Sequence, residues 1–218
     1  MYELIIQNKE LLKVFYALAV LIVCTVIVIK TDSLFRLSLH QGIRYFRNAF
    51  LFYGIGFLIR YGSGVIPFSV VNLFFEFFLI MAGFFLLYSL LWKKIEGSDK
   101  PSHSSLVNPK ILLFYLMAFV IAFLDHLWSS HNLLFFSQIF LFIIASGISY
   151  SNYRRNNQKG KFLKFYFVAM VLSLIAWALN FIAALTFEWN PVILISVYAL
   201  NIVIFLLFLY GVIKVTKT

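Results

Sequence analysis

Ionisable and amide side chains occur inside or at the edges of long apolar runs in this sequence. Charged groups in hydrocarbon are costly, so each one is a candidate functional group. The stretch 123–131 holds an acid beside a histidine at the end of such a run. We predict that six residues from several helices line one ligand-binding pocket: Arg60, Asn72, Glu76, Asp125, His126 and Asn180.

Glu76 and Arg60 allow several kinds of chemistry. Glu76 has two phenylalanines on each side. Glu76 could form a structural ion pair with Arg60 or, as a neutral acid, a hydrogen bond with Asn72. It could also contact a ligand, or act as a proton-linked conformational switch. Arg60 carries a planar fork of donors that suits an anionic group, and it could instead extend to lipid head groups.

Asp125 and His126 could form a proton relay or contribute to a metal site. His126 and His131 are five residues apart, so they do not share a helical face. The spacings HxxxH and HExxH of helix-borne zinc sites are absent from the sequence. We therefore predict no metal and no cofactor, and we expect His131 to lie at a capped helix end in contact with water.

The composition is typical of a polytopic membrane protein. Of the 218 residues, 63% are hydrophobic and only 12% are charged. Apolar runs long enough to cross a bilayer recur along the chain. The sequence predicts an all-α fold with a single domain, 1–218, of seven transmembrane helices at 14–29, 45–61, 68–92, 111–128, 132–150, 162–185 and 192–213.

The second predicted helix is the least hydropathic span. It follows a basic amphipathic segment, 31–48, which fits either an interfacial helix or the inner end of helix two. Arg44, Arg47 and Arg60 must reach head groups or find partners. The sequence leaves open whether this segment and helix two are continuous.

The distribution of basic residues predicts the orientation. All Lys and Arg residues except Lys9, Lys13 and Arg60 fall in the first, third and fifth connections or at the C-terminal end. Short cytoplasmic loops carry such an excess, so we expect the N-terminus outside and the C-terminus inside. We therefore expect the basic residues that give the net charge of +10 to contact anionic lipid head groups on the cytoplasmic side, and we expect no nucleic-acid partner.

This orientation places the candidate residues in the outer half of the bundle. At 1.5 Å per residue, Asp125 lies about 5 Å below the outer boundary, Asn180 about 8 Å and Glu76 about 12 Å. The inner half has few comparable residues. A pocket open to the extracytoplasmic side is therefore favoured over a channel through the whole membrane.

The stretch 37–60, LSLHQGIRYFRNAFLFYGIGFLIR, resembles the second helix of the seven-helix sensing modules of some microbial membrane signalling proteins. The resemblance covers about a tenth of the chain. It implies a sensor in the plasma membrane of a microbe. Those modules usually carry a cytoplasmic kinase or cyclase domain, so we expect this chain to signal to a separate cytoplasmic partner.

Four functions remain open from the sequence. The first is a receptor-like sensor that binds a small ligand or a proton from outside. The second is a transporter of a small solute or ion, although no broken midplane helix or inverted repeat is visible. The third is an intramembrane enzyme, for which no nucleophile or ligand motif is present. The fourth is a structural subunit whose charges hold the bundle together.

Overall fold

Seven α-helices account for nearly all of the chain that the structure describes. The computed structural model describes residues 9–38, 40–62, 67–96, 106, 109–128, 132–155, 161–186 and 191–216, and no strand occurs among them. In chain order the helices are α1 (Lys9–Ser38), α2 (Gln41–Gly62), α3 (Phe68–Glu96), α4 (Pro109–Trp128), α5 (Asn132–Arg155), α6 (Lys161–Thr186) and α7 (Pro191–Thr216).

Six of these helices are long and apolar enough to cross a membrane, which makes this an integral membrane protein. The exception is α2, the helix with the lowest predicted hydropathy. The all-helical membrane class is thus confirmed, whereas the count of seven spans and the orientation stay predictions.

The helix ends follow local sequence signals. Proline is the first residue of α4 and of α7, where its missing N–H removes no helical hydrogen bond. Pro67 precedes α3, and its carbonyl accepts hydrogen bonds from the backbone N–H groups of Val70 and Val71 at 3.0 and 3.1 Å. These bonds fix where each helix begins and therefore which faces turn inward.

The basic segment 31–48 is divided between two helices. Helix α1 continues to Ser38, well beyond the predicted end at residue 29, and α2 begins at Gln41. At the junction the Ile43 N–H donates to the His40 carbonyl at 3.0 Å. The segment is therefore neither a separate interfacial helix nor wholly part of helix two.

Helix neighbours define a closed ring. Helix α1 packs on α2, α2 on α3, α3 on α5, α5 on α6, α6 on α7, and α7 returns to α1. In this order α2 lies across the ring from α6. Successive helices run in opposite directions, so one end carries Arg36, Arg44, Arg154 and Arg155, which we call the basic end, and the other we call the open end.

Helix α4 lies outside this ring, against α3 and α5. Its buried residues form one stripe: Ile111, Ala118, Ala122 and Asp125. Ala118 and Ala122, four residues apart, are fully buried, and their small side chains let a neighbouring helix approach closely. The other faces of α4 expose leucine, valine and phenylalanine, as a lipid-facing helix does.

Helix α2 is one of the two most buried helices of the ring, with α3. Half of its residues are buried, including the polar Gln41 and Asn48. A helix surrounded by other helices need not be apolar on every face, because protein rather than lipid meets its polar groups. The low hydropathy of α2 is therefore compatible with its place in the bundle.

Candidate functional site

A partly open cavity of about 580 Å³ lies inside the ring. Residues from α1, α2, α3, α5, α6 and α7 line it, and α4 contributes none of the lining. The volume falls within the range of sites for one small molecule. The ring, rather than any single helix, therefore forms the cavity.

Polar side chains concentrate where the cavity meets the open end. They come from the first three turns of α1 and α3 and the last two turns of α2 and α6: Lys13, Arg60, Asn72, Glu76 and Asn180. Four of the six predicted site residues, Arg60, Asn72, Glu76 and Asn180, thus share one cavity. Their role in ligand binding stays a prediction.

Arg60 lies against an aromatic ring at this rim. Its guanidinium carbon is 4.4 Å from the centroid of the Phe75 ring. The contact recorded for Arg60 is therefore with an aromatic face and not with a carboxylate. A cation–π contact fixes the plane of the guanidinium and leaves its N–H edge available.

The amide and acid groups of the rim differ in their surroundings. Glu76 is 3% exposed, although it lines the cavity. The Asn72 side-chain oxygen is buried and accepts no hydrogen bond from the described part of the chain. Asn180 donates its amide N–H to the Ala176 carbonyl at 2.8 Å, within its own helix.

Two polar side-chain pairs join helices around the cavity. The Trp177 indole N–H lies within hydrogen-bonding reach of the Tyr53 hydroxyl oxygen, and we call this pair the Tyr53–Trp177 bridge. It connects α2 to α6, which lie on opposite sides of the ring. Tyr16 is hydrogen-bonded to Asn201 and stacks on Tyr198, with ring centroids 4.1 Å apart.

Aromatic rings close the cavity toward the basic end. Phe46 packs on Phe50, Tyr166 and Phe208 with centroids 4.8, 5.6 and 5.8 Å apart, and we call these four residues the aromatic floor. The Tyr166 hydroxyl lies 2.9 Å from that of Ser89, so the polar end of this ring is also paired. The floor draws two of its four rings from α2.

Asp125 and His126 are not in the cavity. Asp125 is buried, and its carboxylate accepts the backbone N–H groups of Leu133 and Leu134 at 3.1 and 2.9 Å. It caps the start of α5, where the first N–H groups of a helix lack partners. The expectation that Asp125 and His126 share a pocket with Glu76 was therefore wrong, because α4 lies outside the ring. His131 lies outside the described residues.

The basic end holds an ion pair that the sequence did not single out. Asp32 of α1 pairs with Arg47 of α2 and with Arg36, the latter at 3.0 Å. Arg47 also donates to the Asn48 side chain at 3.3 Å. This pair ties the two helices together where the chain turns between them, and it gives one of the three arginines near helix two its partner.

Several cavity residues had been interpreted only as packing. Tyr16, Tyr53, Trp177 and Tyr198 all line the cavity. The sequence does contain a signal for these residues, because they are Tyr and Trp within apolar runs. The polar atom of such a ring needs a hydrogen-bond partner when the ring is buried. Among the described residues, no three His, Cys, Asp or Glu side chains are grouped as a metal site requires.

The chain is similar to an uncharacterised protein of Archaeoglobus fulgidus. The two are 27% identical over 222 residues, which cover 91% of this chain and 90% of that protein. No family model matches the chain, and no solved structure matches it. The similarity extends along most of the bundle and is not confined to one helix.

Proposed function

We propose that this chain is a receptor-like membrane sensor. A small ligand enters the cavity from the open end and alters the packing of α2, and a separate partner detects the change at the basic end. The observation that carries the proposal is the combination of a one-sided cavity with a hydrogen bond that crosses it. The Tyr53–Trp177 bridge gives an occupant direct access to α2.

A ligand shifts a conformational equilibrium only by interacting differently with its two states. An occupant that extends past the level of Tyr53 passes between the Tyr53 hydroxyl and the Trp177 indole and separates them, so the bound and free cavities differ in the restraint between α2 and α6. At its other end α2 carries Arg47, paired with Asp32. Movement of this one helix therefore links the cavity to the basic end.

The orientation belongs to the same proposal. The described basic residues Arg36, Arg44, Arg154 and Arg155 lie at the end opposite the cavity mouth. By the positive-inside rule that end is cytoplasmic, and the cavity opens to the extracytoplasmic side of a microbial plasma membrane. Cysteines placed singly at Arg36 or at Phe68 in a Cys24→Ser background should be labelled from opposite sides of sealed vesicles.

Thermal unfolding of the full chain in lipid nanodiscs tests ligand binding. A fraction of polar lipid extract or a metabolite mixture that contains the ligand should raise the unfolding temperature and change the fluorescence of Trp177. Tyr53→Phe keeps the ring and removes the bridge, so it should bind ligand at least as well while losing the change at the basic end, read by a spin label at Arg44. If no mixture stabilises the protein, there is no ligand and the proposal fails.

A transporter would behave differently. The aromatic floor closes the path to the basic end, so transport would require these rings to separate in a second state. Uptake of a bound compound into proteoliposomes, abolished by Glu76→Gln, would replace the sensor proposal with transport. Stabilisation by a compound without uptake would support the sensor.

A further inference from the structure

The lining of the cavity changes character with depth. Charged and amide side chains occupy the rim, whereas the deeper part, which we call the shaft, is lined by Leu79, Leu86, Phe142, Ile204 and Phe208. Two polar residues, Ser173 and Asn201, also line this part of the cavity, and the Ser173 hydroxyl donates to the Ala169 carbonyl at 2.8 Å. The shaft therefore offers an apolar surface to an occupant.

The length of the shaft follows from helix geometry. Glu76 and Leu86 are ten residues apart on α3, which corresponds to about 15 Å at 1.5 Å per residue. The aromatic floor ends the shaft at Phe50 and Phe208, whose ring centroids are 5.2 Å apart. An occupant of the shaft is therefore elongated, apolar and of limited length.

The rim has the donors that an anionic head group needs. Arg60 is exposed and makes a cation–π contact with Phe75. No described residue accepts a hydrogen bond from its guanidinium group. Asn72, on the same helix as Phe75, also lines the cavity, and its side-chain N–H is the group that can donate to an anion. Among the described lining residues, two are basic, Lys13 and Arg60, and one is acidic, Glu76.

We infer that the cavity takes a single-chain amphiphile with a carboxylate head group. Arg60 binds the carboxylate through two parallel N–H donors, Asn72 contacts the same head group, and the apolar chain lies in the shaft beneath the Tyr53–Trp177 bridge. This inference rests on the proposed function, because it names the ligand class of that cavity. It also explains why an apolar shaft and a basic rim belong to one site.

Three probes with the same ten-carbon chain separate the head-group chemistries. Decanoate, decanol and decyltrimethylammonium are titrated into the full chain in nanodiscs, and Trp177 fluorescence and the unfolding temperature are followed. Decanoate should bind at least tenfold more tightly than decanol. Arg60→Gln should remove that difference, and Arg36→Gln should keep it, because the Arg36 side chain is 81% exposed at the basic end.

The chain length of the carboxylate tests the shaft. Each added methylene should tighten binding roughly fourfold, so decanoate should exceed octanoate by roughly fifteenfold. Because the aromatic floor closes the shaft, the gain should stop at a defined chain length. Partition into the nanodisc lipid would show no such limit and no dependence on Arg60, and that result would overturn the inference.

Two further outcomes bear on the head group. If decyltrimethylammonium binds most tightly and Glu76→Gln removes its advantage, the site recognises a cation; the inference is overturned while the proposed function stands. If none of the three probes binds but a compound of another class stabilises the protein, the inference is likewise overturned and the proposed function stands. If neither the probes nor any extract stabilises the chain, both fail.

Discussion

The two halves of the ring differ in how α2 meets its neighbours. At the basic end the helix fills the centre, with Phe46 and Phe50 packed against α6 and α7. At the open end α2 still packs on its neighbours, with Phe57 against Tyr16 and Phe75, but its link across the ring to α6 is the Tyr53–Trp177 bridge. The same helix therefore meets α6 through packed rings in one half of the bundle and through a polar pair in the other. Close packing is stable but rigid, whereas one hydrogen bond can be exchanged for a ligand.

The largest expected effect comes from removing a ring from the aromatic floor. Phe46→Ala deletes a buried side chain, 4% exposed, that contacts α6 and α7. We expect a loss of about 3–5 kcal/mol in the free energy of unfolding. Unfolding in mixed micelles by a denaturing detergent measures it.

Phe68→Ala is the matched control for Phe46→Ala. Phe68 has the same side chain, lies at the cavity mouth and is 69% exposed. Its replacement should change the stability by less than about 1 kcal/mol. Equal losses at the two positions would mean that the two halves do not differ in packing.

The next prediction concerns the Asp125 cap at the start of α5. Asp125→Ala leaves the first N–H groups of α5 without their carboxylate, and we expect a loss of about 2 kcal/mol. Asp125→Asn keeps one acceptor and should lose less. Ligand affinity should stay unchanged in both variants, because Asp125 lies outside the cavity; a tenfold loss of affinity would contradict its assignment as a cap.

Two glycine-to-alanine substitutions test the contact between α3 and α5. A methyl group on Gly83 would lie 2.8 Å from the Gln138 side-chain oxygen and 3.1 Å from Leu141. Gln138 is fully buried and donates to the Leu79 carbonyl at 3.2 Å, so it has little room to move. Gly83→Ala should destabilise the chain by about 1–3 kcal/mol.

Gly147→Ala is the control on the partner helix. No atom lies within 4 Å of the added methyl group, so the higher helix propensity of alanine should leave the stability unchanged or raise it by up to about 1 kcal/mol. Thermal unfolding of the two variants side by side checks the pair. A loss at Gly147 as large as that at Gly83 would show that the α3–α5 contact is not what limits the substitution.

Apart from the control variants, the smallest expected loss of stability is at the bridge itself. Tyr53→Phe removes one hydrogen bond and leaves the ring in place, so we expect a loss of about 1 kcal/mol. Hydrogen exchange of α6 near Trp177 should rise more than exchange of α6 near Tyr166, which packs on the aromatic floor. Equal changes at both places would mean that the bridge does not act locally on the open half.

The sequence predicted the helices and part of the site for identifiable reasons. Long apolar runs define the helices, and register along α3 places Asn72 and Glu76 on one face. The spatial order of helices is not encoded in any local pattern, so the exclusion of α4 from the ring, and with it Asp125, could not be foreseen. The Tyr53–Trp177 bridge depends on the same order, because α2 and α6 are far apart in the chain.

Hydropathy ranks α2 lowest in the sequence and in the structure. Its arginines marked it as the weakest span, and it proves to be half buried, with Ala49 and Gly56 at close contacts. At Gly56 an added methyl group would lie 3.2 Å from the Phe78 Cβ. Lipid sets the composition of outer helices, but neighbouring side chains set that of an enclosed one.

The cap made by Asp125 has a consequence for how the protein enters its membrane. Two hydrogen bonds to the carboxylate form when the backbone of the following helix has turned back beside it. Helix α4 alone would carry the acid into hydrocarbon without those two bonds. We therefore expect α4 and α5 to leave the translocation machinery together, as a helical hairpin, and a nascent chain stalled before residue 132 to remain only partly inserted.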